Sequence, residues 1–320
     1  MRTRVTEMLG IDLPIVQGGL ARVAGAELCA AVSEAGGLGQ ISTVGLDGPE
    51  GLRSEILACR AMTAKPFGVN LPIGRFDITP MLEVALEERV AVIALTAGNP
   101  APWIRRVNGG AKVLVLTAGP ELARKAEAAG ADLVATVGFE GGGHIGRSDE
   151  TTMVMVPRVA AAVSIPVLAS GGIADGRGLV AALALGAEGV EMGTRFVATR
   201  EARAHSAYKH ALLAAQPEQT MLIKRSVGQP GRVLRSRHAE AIVAAEAKGE
   251  DILPLISGEA NARGVGEGAL EDSYVWAGQC VGLIEDLPSA GEVVRRMGAE
   301  ARAVLERLHR LGAEAQAALG

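Results

Sequence analysis

Aromatic side chains are scarce in this chain: four Phe, two Trp and two Tyr in 320 residues. Nucleic-acid modules that stack bases on aromatic platforms need more. There is no long basic run and the formal net charge is −4, which argues against binding a phosphate backbone. Cysteine is limited to Cys29, Cys59 and Cys280, an odd number with no CxxC pair, as expected of reduced thiols in the cytoplasm. No uninterrupted apolar run reaches the roughly 20 residues of a membrane helix. The opening "MRTRVTEMLGIDLPIV" has no h-region or cleavage pattern, so neither a membrane span nor a secretion signal is expected.

Apolar residues are plentiful, at 48%, against 21% charged, enough for a large core. They fall into eight short runs: 14–19, 37–42, 66–71, 90–98, 112–118, 131–139, 165–172 and 189–196. Each is apolar throughout rather than alternating, as in strands covered on both faces. Ala/Glu/Leu-rich segments of helical period separate them, several ending in glycine, for example "AELCAAVSEAGG". Eight strand–helix alternations predict a parallel (β/α)₈ TIM barrel, with an open doubly wound sheet as the alternative. The pattern stops near residue 200. Residues 201–285 read as a helical subdomain without strand signal, inserted over the active site after the eighth strand. A last barrel helix spans about 288–318, so the barrel comprises 1–200 and 286–320.

Barrel enzymes place their chemistry at the C-terminal ends of the strands, with phosphate sites after strands seven and eight. Those ends here are "ASGGIADGRG" and "MGTRF". Ser170, Gly171 and Gly172, with the helix starting near Asp175, offer backbone N–H donors to a phosphate; Gly193 and Thr194 add an N–H and a hydroxyl. The alternative is that these glycines only make tight turns. "QGGLA" (17–21) and Asn70 at the ends of strands one and three suit a broad planar ligand, though Asn70 also reads as a turn residue before Pro72. After strand six comes "GFEGGGHIGRSDE" (138–150), five glycines around His144. Such a frame lets backbone pass close to a flat ligand, and neutral imidazole is a general base at physiological pH. A turn-capping histidine is the bland reading. Asp149 and Glu150 either orient that ring or mark a helix start. Arg147 and Lys224 are candidates to meet substrate anions. The other four histidines form no metal-ligand pattern with the cysteines.

In order and spacing, "PIVQGG", "SEAGGLG", "KPFGVN", "AGNP", "GGHIG", "ASGGIADGRG", "GAEGVEMGTRF" and the C-terminal "WAGQ" resemble the nitronate monooxygenase (2-nitropropane dioxygenase) family of FMN barrels. That family also holds FMN-dependent enoyl-acyl-carrier-protein reductases and an NADH:quinone reductase. The resemblance implies FMN with its phosphate on Gly172, Gly193 and Thr194. It implies further cofactor contacts from Gly19, Leu20, Ala21, Asn70, Gly142, Gly143, Ser170 and Gly171, with His144 as the catalytic group. It implies oxidation of a small anion such as an alkyl nitronate by O₂; the alternatives are an NAD(P)H-driven enoyl-thioester reductase and a quinone reductase. A homodimer is one assembly this reading allows. Three features depart: Leu20 stands where the family usually has methionine, "LPIGRFDITP" stands where the quinone reductases carry a Pro/Lys segment, and "RSDE" makes the link after "GGHIG" longer than in the enoyl reductases. A flavin-free binding barrel is the reading from another class.

Overall fold

The computed structural model describes residues 1–74, 77–107 and 109–319. Arg75 and Phe76, within the "LPIGRFDITP" departure, lie outside them. Eight strands form one parallel sheet: β1 (Ile15–Gln17), β2 (Gln40–Ser42), β3 (Gly68–Pro72), β4 (Val92–Thr96), β5 (Lys112–Thr117), β6 (Leu133–Val137), β7 (Val167–Ser170) and β8 (Gly189–Met192). Each coincides with one of the apolar runs, β3 running one residue past the end of its own. The order β1-β8-β7-β6-β5-β4-β3-β2 rolls the sheet up, and a single parallel bridge, Val16 to Leu38, joins its ends. The chain is a (β/α)₈ TIM barrel.

The reason the runs do not alternate is now visible. Val16, Leu38, Val92, Ala94, Leu114, Leu133, Ala135 and Leu168 fill the cylinder. Their strand neighbours Ile15, Ile41, Val69, Ile93 and Val134 face the surrounding helices. Val5 and Leu9, on the helix Arg4–Leu9, join the inner cluster and close the end where the strands begin. Arg4 fixes that plug by donating to Glu188, just before β8, and to the Ser164 carbonyl at 2.7 Å. The final helix, Ala290–Leu319, packs on the helices Gly176–Ala184 and Ala26–Glu34. No described helix is long and apolar enough to cross a membrane.

The segment after β8 corrects one expectation. It carries the helices Ser206–Ala214, Arg237–Lys248 and Gly258–Glu267, but it is not wholly helical. Thr220–Ile223 and Gly231–Leu234 pair antiparallel, and the second of these pairs with Gly143–His144. Four-residue strands leave too short a pattern to read. What stabilises them is tertiary: Ile223, Val233, Ala239, Ile242 and Tyr274 share a separate small core. The inserted segment thus reaches over the barrel mouth and takes the strand-six loop into its own sheet.

Helix-to-strand spacing at the rim is set by glycine. A Cβ at Gly39 would lie 2.0 Å from the Cys29 carbonyl oxygen, a backbone atom of the helix Ala26–Glu34. Gly39→Ala is therefore expected to lose at least the ~1–3 kcal/mol typical of overpacking. Urea unfolding checks this; an unchanged midpoint would show that helix and strand separate freely there.

Candidate active site

The strand ends expected to form the site lie together at the barrel mouth. Gly19 and Leu20 leave β1 in a tight turn, Leu20 at φ 30°. Its carbonyl accepts from Val23 and Ala24 at 2.9 and 3.0 Å. The Asn70 side chain lies against this turn so closely that a Cβ on Gly19 would fall 2.2 Å from its Cγ. Asn70 sits within β3, so it is a strand residue and not a turn residue. Its amide group makes no hydrogen bond among the described residues and is left available at the mouth. Gly193 follows β8 beside Leu20, whose Cδ2 would be 3.2 Å from a Cβ there. Ala21 lies half-buried in the same turn.

On the other side, Gly171 and Gly172 leave β7 with φ 95° and 76°, a conformation open to glycine at little cost. Gly171 packs on the backbone of Gly138 and Gly141, and Ser170 accepts the Gly138 N–H at 2.9 Å. Thr152 ties the turn down, its hydroxyl donating to the Gly171 carbonyl at 2.9 Å while the Glu140 carboxylate accepts its N–H at 2.8 Å. The two sides meet through "WAGQ". Gly278 donates its N–H to Thr194 Oγ1 at 2.9 Å, Gln279 donates to the Glu140 carbonyl at 2.9 Å, and Gly142 would carry a Cβ 2.5 Å from Gly278 N.

The helix start expected to offer free N–H donors does not offer them. The helix Gly176–Ala184 spends its first N–H groups on carboxylates. Asp175 takes Arg177 and Gly178 at 2.9 and 3.0 Å, and Glu300 takes Gly176 at 2.8 Å. That helix start has no donors to spare. The N–H groups of Gly172 and Gly193 have no acceptor among the described residues.

His144 stands at the rim on the strand Gly143–His144, opposite Gly231. It keeps solvent access while protein crowds it on most sides. Its ring lies 4.9 Å from that of Trp276, tilted by 47°. Lys224 completes the group. It is 6% exposed, and its ammonium lies 5.0 Å from the Tyr274 ring and 4.9 Å from the Trp276 ring. Crowding and then the Lys224 charge push the His144 pKa down to about 4, so the ring is neutral at pH 7. Lys224, Tyr274 and Trp276 come from the inserted segment, and only Lys224 had been a candidate. Arg232, buried in the same sheet, holds the strand-six loop by donating to the Phe139 carbonyl at 3.0 Å and stacking 4.6 Å over its ring.

The remaining candidates have structural partners. Arg147 donates to the Gly228 carbonyl at 2.7 Å, and Asp149 pairs with Arg225 at 2.9 Å. Glu150 pairs with Arg158, so neither acid orients His144. His205 caps a helix, and His210 and His238 bond backbone carbonyls. No metal-binding cluster occurs among the described residues.

One group inside the barrel went unnoticed in the sequence. Glu191 of β8 is 3% exposed, and burial pushes its carboxyl up to about 7, with only Gln40 opposing through a 3.3 Å hydrogen bond.

With this geometry in view, the nitronate monooxygenase family profile matches residues 2–81 and 76–300. The chain belongs to that family. A nitronate monooxygenase of Pseudomonas aeruginosa is 36% identical over 94% of this chain and 100% of its own. A 5-hydroxy-7a-methyl-1-oxo-octahydro-1H-indene-4-carboxyl-CoA dehydrogenase of Rhodococcus jostii is 33% identical over 98% of both. Among solved structures, FabK from Thermotoga maritima superposes with a TM-score of 0.90 at 42% identity, covering 97% of this chain and 99% of that one. The protein is thus an enzyme of an oxidoreductase family.

Replacing Lys224 by Met removes the smaller of the two causes acting on His144. The imidazole pKa is expected to rise from about 4 yet stay below the ordinary 6.5. An NMR titration of the ring reads this directly; a pKa unmoved by the substitution would place the ammonium too far away to act.

Proposed function

We propose that this chain is an FMN-dependent oxidoreductase that oxidises alkyl nitronates with O₂, with His144 as its proton-handling residue. The observation that carries the reading is a neutral imidazole beside a buried ammonium at the mouth of the barrel. The mouth also suits the cofactor. Gly172 and Gly193 carry N–H groups with no acceptor among the described residues, the donors a flavin phosphate needs. A Cβ on Gly143 would meet nothing within 4 Å, so the backbone beside His144 leaves room for a planar ring. The Asn70 amide supplies a donor and an acceptor for that ring's edge. Bound FMN would supply a two-electron acceptor that O₂ can reoxidise.

The protein's part is then binding and proton control. Lys224 provides positive charge that is not squandered on bulk water, because Tyr274 and Trp276 flank it. A nitronate carries its negative charge on the nitro oxygens, and that charge is drawn toward the ammonium. His144 Nε2 or Nδ1, neutral, accepts the α-proton when the substrate arrives as the nitroalkane, or donates a hydrogen bond to the anion. Trp276 lies tilted beside the ring, 4.9 Å between centroids, and would limit its rotation.

A second reading, an enoyl-thioester reductase driven by NAD(P)H, is favoured by the 42% likeness to FabK and by the carboxyl-CoA dehydrogenase relative. Here Lys224 would polarise the thioester carbonyl. Anaerobic flavin bleaching separates the two. Bleaching by a nitronate without NAD(P)H supports the first. Bleaching by NADH, with recovery on crotonyl thioester, supports the second and removes the first. A colourless preparation that takes up no FMN would remove both.

His144→Ala is expected to keep FMN and slow turnover by about 10², the usual scale for a lost acid–base group. Steady-state rates on the true substrate check it, and unchanged rates would take His144 out of the mechanism. In the parent, the acid limb of kcat/KM should lie well below pH 6.5, because His144 stays neutral down to about 4. Gly193→Val, crowding Leu20 and the N–H beside it, should weaken FMN retention. Full flavin occupancy in that variant, measured by absorbance, would move the phosphate elsewhere.

A further inference from the structure

A line of amides leads from Glu191 to the first glycine turn. Gln40 Nε2 donates to the Gln17 carbonyl at 2.9 Å, and Gln40 N donates to Gln17 Oε1 at 3.0 Å. Gln17 Nε2 in turn donates to the Gly18 carbonyl. All three side chains are buried. The orientation of the Gln40 amide is fixed by chemistry, because a backbone carbonyl can only accept and so the amino group must face it. That leaves Gln40 Oε1 buried with no donor. Gln40 Nε2 also donates to Glu191 Oε1, at 3.3 Å, so the carboxyl lies alongside the same amide with its second oxygen still to be paired. The neighbours of Glu191 on the adjacent strands are Val16 of β1 and Ser170 of β7, and Gln40 of β2 lies across the seam. None of these titrates and no charged group acts on the carboxyl. A carboxylate there would be a buried charge with one long amide hydrogen bond and no cation.

One proton resolves both. We infer that Glu191 is held as a neutral carboxylic acid that donates its O–H to Gln40 Oε1, and that this bond positions the Gly18–Gly19 turn at the barrel mouth. The turn rests on it physically as well: a Cβ on Gly18 would lie 3.6 Å from Glu191 Cγ. Gly19 abuts Asn70, so the turn's height decides where the mouth's amide group stands. Burial pushes the carboxyl in the same direction, up to about 7. Loss of the proton sets a carboxylate against Gln40 Oε1. The acid–amide pair is then broken on its Oε1 side, and only the bond from Gln40 Nε2, shared with the Gln17 carbonyl, still holds the carboxylate. In linkage terms the folded carboxyl keeps a proton that the unfolded chain has lost. Its contribution is complete below the ordinary glutamate range and declines as pH rises through about 7.

Only the consequence for the mouth rests on the flavin reading; the proton is tested without it. The infrared difference between the parent and Glu191→Gln at pH 6 should show the carbonyl stretch of a protonated carboxylic acid, shifted in D₂O and lost at pH 9. The melting temperature of the parent should fall relative to Glu191→Gln between pH 5 and pH 9, because the amide cannot ionise. The Kd for FMN should weaken about tenfold in the parent over that range and stay flat in the variant. Absence of the band, or parallel melting curves, overturns the inference: Glu191 is then ionised, or a buried water serves Gln40. If Glu191→Gln does not fold, the pH 6 minus pH 9 difference spectrum of parent protein labelled with ¹³C-glutamate decides by the same band. A band present while neither protein takes up FMN at any pH would fault the flavin reading alone. A band missing while FMN binds would fault the inference alone.

Discussion

The N–H of Gly278 donated to Thr194 Oγ1 is the contact on which the site depends. It brings the far end of the inserted segment down onto the end of β8. The approach works because Gly142 and Gly278 bring backbone against backbone; a Cβ on either would fall under 3 Å from main-chain atoms of the other stretch. Once this clamp is made, Trp276 is two residues away from it and must lie beside His144. The strand-six loop is then a sheet strand and not a free glycine loop. The abundance of glycine there serves close packing as much as ligand access.

Electrostatically, the mouth separates its charges by depth. The exposed rim is dense in ion pairs, such as Arg203 with Glu27 and Glu55, that are screened and contribute little individually. Two perturbed groups differ in kind, His144 at the rim and Glu191 inside the barrel. His144 is kept neutral by crowding and by a neighbouring cation. Glu191 is kept near neutrality by burial alone, since no cation faces it. Neutral groups make directional hydrogen bonds without demanding counter-ions.

The barrel was legible because its strands are covered on both faces, so each wrote an apolar run of four or more residues with glycine punctuation. The glycine turns after β1, β7 and β8 and the frame of His144 were legible for the same local reason. What sits above the mouth was not. Thr220–Ile223 and Gly231–Leu234 are too short to leave a period, and Lys224, Tyr274 and Trp276 reach His144 only because the inserted sheet adds Gly143–His144 as a strand. The donors expected from the helix after Asp175 failed for a non-local reason: Glu300, on the last helix, occupies the Gly176 N–H, and nothing near Asp175 in sequence announces that. Glu191 did leave a trace. Val190 and Met192 face the helices, so period-two alternation turns Glu191 inward, a lone carboxylate in an apolar run.

Between β1 and β2 the ladder is reduced to one bridge, Val16 to Leu38, supplemented by the Gln17–Gln40 side-chain bonds, where other neighbouring strands share registers of three to five residues. Hoops of unequal strength open at the weakest stave. Here that stave carries the first glycine turn at its upper end, so opening of the barrel is expected beneath the floor of the mouth, with amides of β1 and β2 exchanging with solvent ahead of those in β4 to β7.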